Sequence, residues 1–354
     1  MFKLTPFRVL AGLVLLALLC ILAAWLPTVV FGNAGGDRTA TLASRPDQAL
    51  IDRGAYLAIA GDCAACHTAP RGKSFAGGLS IATPVGAVYS SNITPDKETG
   101  IGRYSLGDFE RAVRRGITPD GSSLYPAMPF PSYARTSDTD IQALYAYFMN
   151  GVAPVAQGDR PVDIPWPLSM RWPLTYWRWA FGPAVQDAPR PAPGALQARG
   201  AYLVEGLGHC GSCHTPRGYA FQERALTAAD GPAYLSGAVV DHYVASNLRG
   251  DDAAGLGRFS EEDIVRLLQT GRNSDTAVFG GMADVVTHST QFMREDDLRA
   301  IARFLKSLPA SGSQPGFTYD ATAASALGAG DAAARGSLDY LNNCAACHQS
   351  SGKG

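Results

Sequence analysis

Apolar residues recur at helical spacing along much of the chain. In 104–115, Phe109 and Val113, and in 259–270, Ile264, Leu267 and Leu268, fall three or four residues apart, the period at which side chains share one face of a helix. The segments 138–149 and 294–308 predict two more helices, each opening with acidic residues that suit the positive end of a helix dipole. Ahead of all of these, 9–26 is almost wholly apolar, no charged side chain occurs from 9 to 36, and Lys3 and Arg8 come first. The run is longer than the ~7 to 15 residues of a signal-peptide core and approaches the ~20 that cross a bilayer. It therefore predicts an uncleaved membrane anchor within 1–36, with a cleaved signal peptide as the alternative. The positive-inside rule puts everything after Asp37 on the far side of the membrane, which in a bacterium is the periplasm.

The helical pattern repeats. Arg53-Gly54-Ala55-Tyr56-Leu57 returns as Arg199-Gly200-Ala201-Tyr202-Leu203, and 91–116 aligns without a gap on 246–271 at a shift of 155, with 10 of 26 positions identical. The expected fold class is all-α, two complete copies of a small helical domain at 44–153 and 194–312. Between them, 154–193 is Pro-rich and holds four of the five tryptophans. It reads either as a linker whose aromatics pack between domains or as a belt for a membrane interface or a partner. A third copy starts at Arg335-Gly336 within 313–354 and stops six residues after His348. At that length it is expected to lack most of a core.

Composition narrows the function. Thirty basic against thirty-one acidic residues leave a net charge of -1, which provides no field for a polyphosphate, so nucleic acid is not an expected partner. Six of seven cysteines fall in three copies of C-x-x-C-H: Cys63-Ala-Ala-Cys66-His67, Cys210-Gly-Ser-Cys213-His214 and Cys344-Ala-Ala-Cys347-His348. Shuffled composition would yield roughly 0.002 such strings, and the pattern marks c-type haem attachment. Two thiols three residues apart on a helical turn reach the two vinyl groups on one porphyrin edge, while the adjacent imidazole turns beneath the iron. Zinc is the rival, but a closed site needs four ligands, and no Cys or His lies between His67 and His209. A thioredoxin-like site needs neither the His nor three copies. The seventh cysteine, Cys20, lies in the apolar run and reads as a membrane residue.

A haem with one axial histidine is open to small molecules; a methionine closes it and raises its potential. Met128, in Tyr125-Pro126-Ala127-Met128-Pro129, and Met282, in Gly280-Gly281-Met282, lie 154 positions apart, one off the repeat shift, and are the expected sixth ligands of the first two haems. Pro126 and Pro129 favour a non-helical segment around Met128, and Gly280-Gly281 allows close backbone approach. His242 and His288 are the alternatives for the second haem. Met149 and Met293 read as packing residues, Met170 lies in the Trp-rich segment, and His209 reads as a surface or propionate-side residue.

Ser91-Asn92-Ile93-Thr94-Pro95-Asp96, Gly100-Ile101-Gly102, Leu124-Tyr125-Pro126-Ala127-Met128-Pro129, Ile164-Pro165-Trp166-Pro167-Leu168 and Phe279-Gly280-Gly281-Met282 resemble the tri-haem cytochrome c subunits of bacterial membrane-bound alcohol and sugar-acid dehydrogenases. The resemblance covers nearly everything after about residue 45. It implies tandem class I cytochrome c domains, with haem c carried covalently at all three motifs and Met128 and Met282 as iron ligands. It also implies electrons taken from a catalytic dehydrogenase subunit and passed to membrane ubiquinone or a terminal oxidase, with no substrate chemistry in this chain. Members of that family continue for about another domain beyond the third motif, with a third Met, so this chain reads as a C-terminally truncated member whose third haem is unloaded or incompletely housed. The reading from another class is a haem peroxidase that uses an open third iron.

Overall fold

The computed structural model describes residues 12, 14, 15, 17–22, 40–42, 45–186, 195–240, 243–312, 318 and 321–352. Half of the apolar run at 9–26 lies outside them, and no helix among the described residues is long and apolar enough to cross a membrane. The chain divides into two compact units, Met1–Ala55 with Cys66–Ala188, and Tyr56–Ala65 with Pro189–Gly354.

The first helix, α1 (Gln48–Ala60), begins in the first unit and ends in the second. It is followed by α2 (Cys63–His67), the strands β1 (Ser80–Thr83) and β2 (Gly86–Tyr89), α3 (Leu106–Arg115), the short α4 (Phe130–Tyr133), α5 (Asp138–Asn150) and α6 (Pro173–Phe181). Helix α3 starts at a reciprocal cap, in which the Asp108 amide donates to Ser105 Oγ while the Ser105 amide donates to the Asp108 carboxylate. It stops at Gly116, which takes the left-handed conformation. Along α5, Ile141, Leu144 and Phe148 share one buried face, and Ala143 and Ala146 are buried on another. Phe148 meets Phe75 edge-on at 5.3 Å, and Phe109 of α3 meets Tyr145 at 5.6 Å.

The second unit contains α7 (Leu196–Tyr202), which runs into a π turn at Leu203–Leu207, then α8 (Gly211–His214), β3 (Ala238–Val240), β4 (Tyr243–Ala245), α9 (Glu261–Thr270), α10 (Gly281–His288) and α11 (Glu295–Ser307). Its core gathers Leu203, Val204, Tyr234, Leu235, Ile264, Leu298, Phe304 and Leu305. Three short helices close the described chain: α12 (Ala321–Gly328), α13 (Ser337–Asn343) and α14 (Ala345–His348). The four helices expected from periodicity occur to within two residues of their predicted ends.

The fold is helix-rich, but it is not purely α. β1 and β2 pair antiparallel from Ser80↔Tyr89 to Thr83↔Gly86, and β3 and β4 from Ala238↔Ala245 to Val240↔Tyr243. Strands of three or four residues are too short to show a clear alternation, so the sequence reads there only as irregular chain.

The same helix crossing is built in both units. An ideal Cβ on Gly54 of α1 would sit 1.9 Å from the Ala143 carbonyl oxygen of α5, and one on Gly200 of α7 would sit 2.0 Å from the Ala300 carbonyl oxygen of α11. Only glycine allows two helix backbones this close. The preceding arginines lock each crossing: Arg53 pairs with Asp140, and Arg199 pairs with Asp297 through bonds of 2.8 and 2.9 Å. In the third copy Gly336 takes φ 85°, and a Cβ there would meet nothing within 4 Å.

The Pro- and Trp-rich segment is more than a connector. Through 155–163 it is bonded into the first unit: Asn92 Nδ2 donates to the Val155 carbonyl at 2.8 Å, the Asn92 amide donates to Asp159 Oδ1 at 2.7 Å, and Ala87 and Asp163 exchange backbone bonds. Further on, α6 sets Trp177 edge-on to Phe130 at 6.0 Å.

Candidate functional site

Each of the first two C-x-x-C-H strings forms a short helical turn, as the attachment geometry requires. In the first unit His67 Nδ1 lies 2.7 Å from the Ser91 carbonyl oxygen, and in the second His214 Nδ1 lies 2.7 Å from the Ser246 carbonyl oxygen. A carbonyl can only accept, so Nδ1 carries the proton and Nε2 keeps its lone pair for a metal. Burial holds both imidazoles below the ordinary histidine pKa, which keeps them neutral and ligand-competent at pH 7. The His67 carbonyl in turn accepts from the Gly77 amide, and the His214 carbonyl from the Gly237 amide, each at 2.8 Å. Each histidine is therefore held by backbone twice, once at its ring and once at its own carbonyl.

The serine carbonyls are themselves held in place by the next residue. Asn92 is buried, its Oδ1 accepting from the Thr94 amide at 2.9 Å, and Asn247 is buried with its Oδ1 accepting from the Arg249 amide at 2.8 Å. Motif spacing does not find Ser91, Asn92, Ser246 and Asn247, because the group that works is a backbone oxygen. Their signal lay in the repeat, where Ser-Asn is identical at the shift of 155.

These residues fit a haem c. Among the described residues no three or more His, Cys, Asp or Glu side chains converge on a point as a zinc site would require. Burial, followed by the neighbouring Cys213, pushes the Cys210 thiol up to about 12. A thioether at this position would leave no charge to bury.

The methionines fall in the same units as their histidines, in different local settings. Met128 is half-buried in a turn just before α4, where its amide donates to the Tyr125 carbonyl and its carbonyl accepts from Phe130. Met282, also half-buried, stands in the first turn of α10, a helical setting where Met128 has an irregular one. Its approach is shaped by Gly280, at φ 57°, whose absent Cβ would touch the Tyr243 ring at 3.4 Å. Of the alternatives, His242 lies outside the described residues, and His288 is exposed at the end of α10 with Nδ1 on the Asp284 carbonyl at 3.0 Å. His209 is tied to the Leu207 carbonyl at 2.8 Å. Met293 is buried in the second core, while Met149 lies near the end of α5.

The third motif forms the same turn, with Cys344 capping α14 as Cys210 caps α8, but its surroundings differ, and His348 is exposed. Tyr340 donates its hydroxyl to the Gln349 carbonyl at 2.6 Å, and among the described residues no carbonyl meets the His348 ring as Ser91 meets His67.

No family model matches the chain. It is 55% identical over 338 residues to the gluconate 2-dehydrogenase cytochrome c subunit of Pantoea cypripedii, an alignment that covers 94% of this chain and 75% of that protein. It is 52% identical over 314 residues to the cytochrome c subunit of the quinone alcohol dehydrogenase of Gluconobacter oxydans, covering 87% of this chain and 65% of that protein. A diheme c-type cytochrome of Cereibacter sphaeroides is 37% identical over 266 residues, covering 73% of this chain and 86% of that protein.

Proposed function

The chain belongs to the family of cytochrome c subunits of gluconate 2-dehydrogenase and quinone alcohol dehydrogenase, and on that premise we propose that it relays electrons from a partner dehydrogenase of an alcohol, aldehyde or sugar acid to membrane ubiquinone or a terminal oxidase. Bound haem c supplies a one-electron ferric–ferrous couple. The rest falls to the chain. Cys63 with Cys66, and Cys210 with Cys213, are the tethers; His67 and His214 are the proximal ligands; Met128 and Met282 are the distal ones. Ser91 and Ser246 keep the imidazoles in one tautomer and one orientation, which raises ligand basicity and restrains the ring as the charge at the iron changes. The two short Nδ1 contacts, repeated at equivalent positions, are the observation that carries this reading. Cys344, Cys347 and His348 are read as a third attachment site in a tandem of class I cytochrome c domains. The apolar run at 9–26 is read as an anchor holding the chain on the periplasmic face of the cytoplasmic membrane. The relatives are named as cytochrome subunits, so the relay is carried forward and the peroxidase is not.

The test uses the full chain matured with haem in a bacterial periplasm. Intact mass reports the number of haems, and anaerobic mixing with a substrate-reduced dehydrogenase should reduce them within seconds. Met128→Ala and Met282→Ala should each convert one haem from a low-spin methionine-ligated spectrum to a high-spin or open one. Low-spin methionine signatures unchanged in both variants would overturn the distal assignment, and haems that stay ferric with every reduced dehydrogenase would overturn the relay.

A further inference from the structure

A second surface of the first unit collects positive charge that the relay does not use. A cleft of about 290 Å³ is lined by Arg114 and Arg115 at the end of α3, Phe130 of α4, Arg178 and Trp179 of α6, and the backbone of 182–185. Arg114, only 3% exposed, is paired with Glu110 at 3.5 Å and Asp138 at 2.6 Å, and Arg115 leans on the same Glu110 at 3.3 Å. Arg178 donates Nε to Ser123 Oγ at 3.3 Å, but its buried Nη2 has no partner among the described residues. Burial, and then the charges of Arg111 and Arg115, draw the Arg178 pKa below the ordinary arginine value. Of the three guanidiniums lining the cleft, Arg114 and Arg115 share Glu110 and Asp138, and Arg178 has no carboxylate within ion-pair distance among the described residues. A buried charge left this way is costly unless an anion completes it.

Trp179, which lines the cleft, is 64% exposed. Trp172, Tyr176 and Trp179 follow the i, i+4, i+7 spacing of one helix face, while Thr175 is buried and Trp177 packs against Phe130 and Phe181. In the segment leading into α6, Trp166 is 79% exposed and Leu168 57% exposed. An exposed indole beside a guanidinium cleft suits the zone where acyl chains meet phosphates: indole rings favour that boundary, and Lys or Arg near it gain from anionic lipid.

We propose that this cleft binds the phosphate of an anionic phospholipid, with the exposed tryptophan face lying in the bilayer interface. A lipid is favoured over a protein partner by a second apolar element in the same chain: the described helical residues of 12–22 expose Val14, Leu15, Leu18, Leu19, Ile21 and Leu22. The inference rests on the reading that the chain works at a membrane, and it adds a headgroup site remote in sequence from the anchor. Arg178 forms the charge-assisted contact, and Arg114 and Arg115 supply the field.

The probe is dihexanoylphosphatidylglycerol below its micelle concentration, titrated calorimetrically into the full haem-loaded chain held in neutral detergent. Dihexanoylphosphatidylcholine and inorganic phosphate are the parallel arms. Saturable binding of the glycerol lipid is expected, weakened about tenfold in Arg178→Gln, with the choline lipid and free phosphate both weaker. Arg115→Gln gives a second variant should Arg178→Gln fail to load haem normally. Equal binding by wild type and both variants overturns the site. Phosphate binding as tight as the glycerol lipid shows a free-anion site and overturns the lipid assignment, as does equal affinity for the choline lipid. Flotation of the full chain with vesicles of phosphatidylcholine and phosphatidylglycerol separately tests membrane association. If the chain does not float while the short-chain lipid binds through Arg178, the headgroup site stands and the membrane reading fails.

Discussion

Substituting Gly200 by alanine puts a methyl group where the Ala300 carbonyl oxygen is 2.0 Å away and the Ala300 carbonyl carbon and Phe304 Cβ are each 2.7 Å away. Two of these neighbours are backbone atoms, and no rotamer change relieves them. Reaching ordinary contact requires α7 and α11 to separate by about 1.4 Å, and overpacking of this kind costs about 1 to 3 kcal/mol or more. The separation also stretches the Arg199–Asp297 bonds of 2.8 and 2.9 Å that join the same helices one turn away. Alanine's better helix propensity returns about 1 kcal/mol. The expected net loss is about 2 kcal/mol, or roughly 4 to 8 °C in the melting temperature of a unit of this size. The assay is thermal unfolding of the haem-loaded chain followed by circular dichroism, with Gly158→Ala as the control, because a Cβ there meets nothing within 4 Å. The control should melt within about 1 °C of wild type. A Gly200→Ala chain melting with the control would refute the close crossing, and with it the use of Arg-Gly as the mark of this helix pair.

The Arg199–Asp297 pair predicts a pH dependence. Burial pushes the Asp297 carboxyl up, but hydrogen bonds from Arg199 and Tyr56 and the charges of Arg199 and Arg294 outweigh it and hold its pKa below the ordinary carboxylate value. Its stabilisation is therefore complete above the unfolded value of about 4 and lost as pH falls through the lower folded one. Asp297→Asn should destabilise by about 3 kcal/mol at pH 7, with the gap to wild type closing as pH drops below about 4; a gap independent of pH in chemical denaturation would contradict the ion pair. Ser260→Ala removes the oxygen that accepts from the Asp263 amide at 3.1 Å at the start of α9 and should cost about 1 kcal/mol, read as a shift in denaturation midpoint. Ser105→Ala at α3 should cost about the same, since the cap is built identically.

Much of this protein is local in origin and therefore legible in the chain. The attachment turns follow from three residues at fixed spacing, and the helices around Phe109, Leu144, Ile264 and Leu298 follow from a 3.6-residue period with acidic or serine starts. The repeat marked Arg53-Gly54 and Arg199-Gly200 without showing why they recur. The reason is tertiary: each glycine lies under a carbonyl of a helix about a hundred residues away, and each arginine finds its aspartate there. The two hairpins were invisible because strands of three or four residues are stabilised by their partners and by bonds such as Ala87 to Asp163, not by their own pattern. The membership of 155–186 in the first unit was hidden for a similar cause, since it depends on Asn92 and Phe130 reaching across from distant positions. The choice of ligand nitrogen was beyond any motif, because Ser91 and Ser246 act through backbone oxygens that every residue possesses. Sequence by itself determined which atoms are proposed to hold a haem; the tertiary structure decided which way those atoms face, because orientation is set by contacts between segments far apart in the chain.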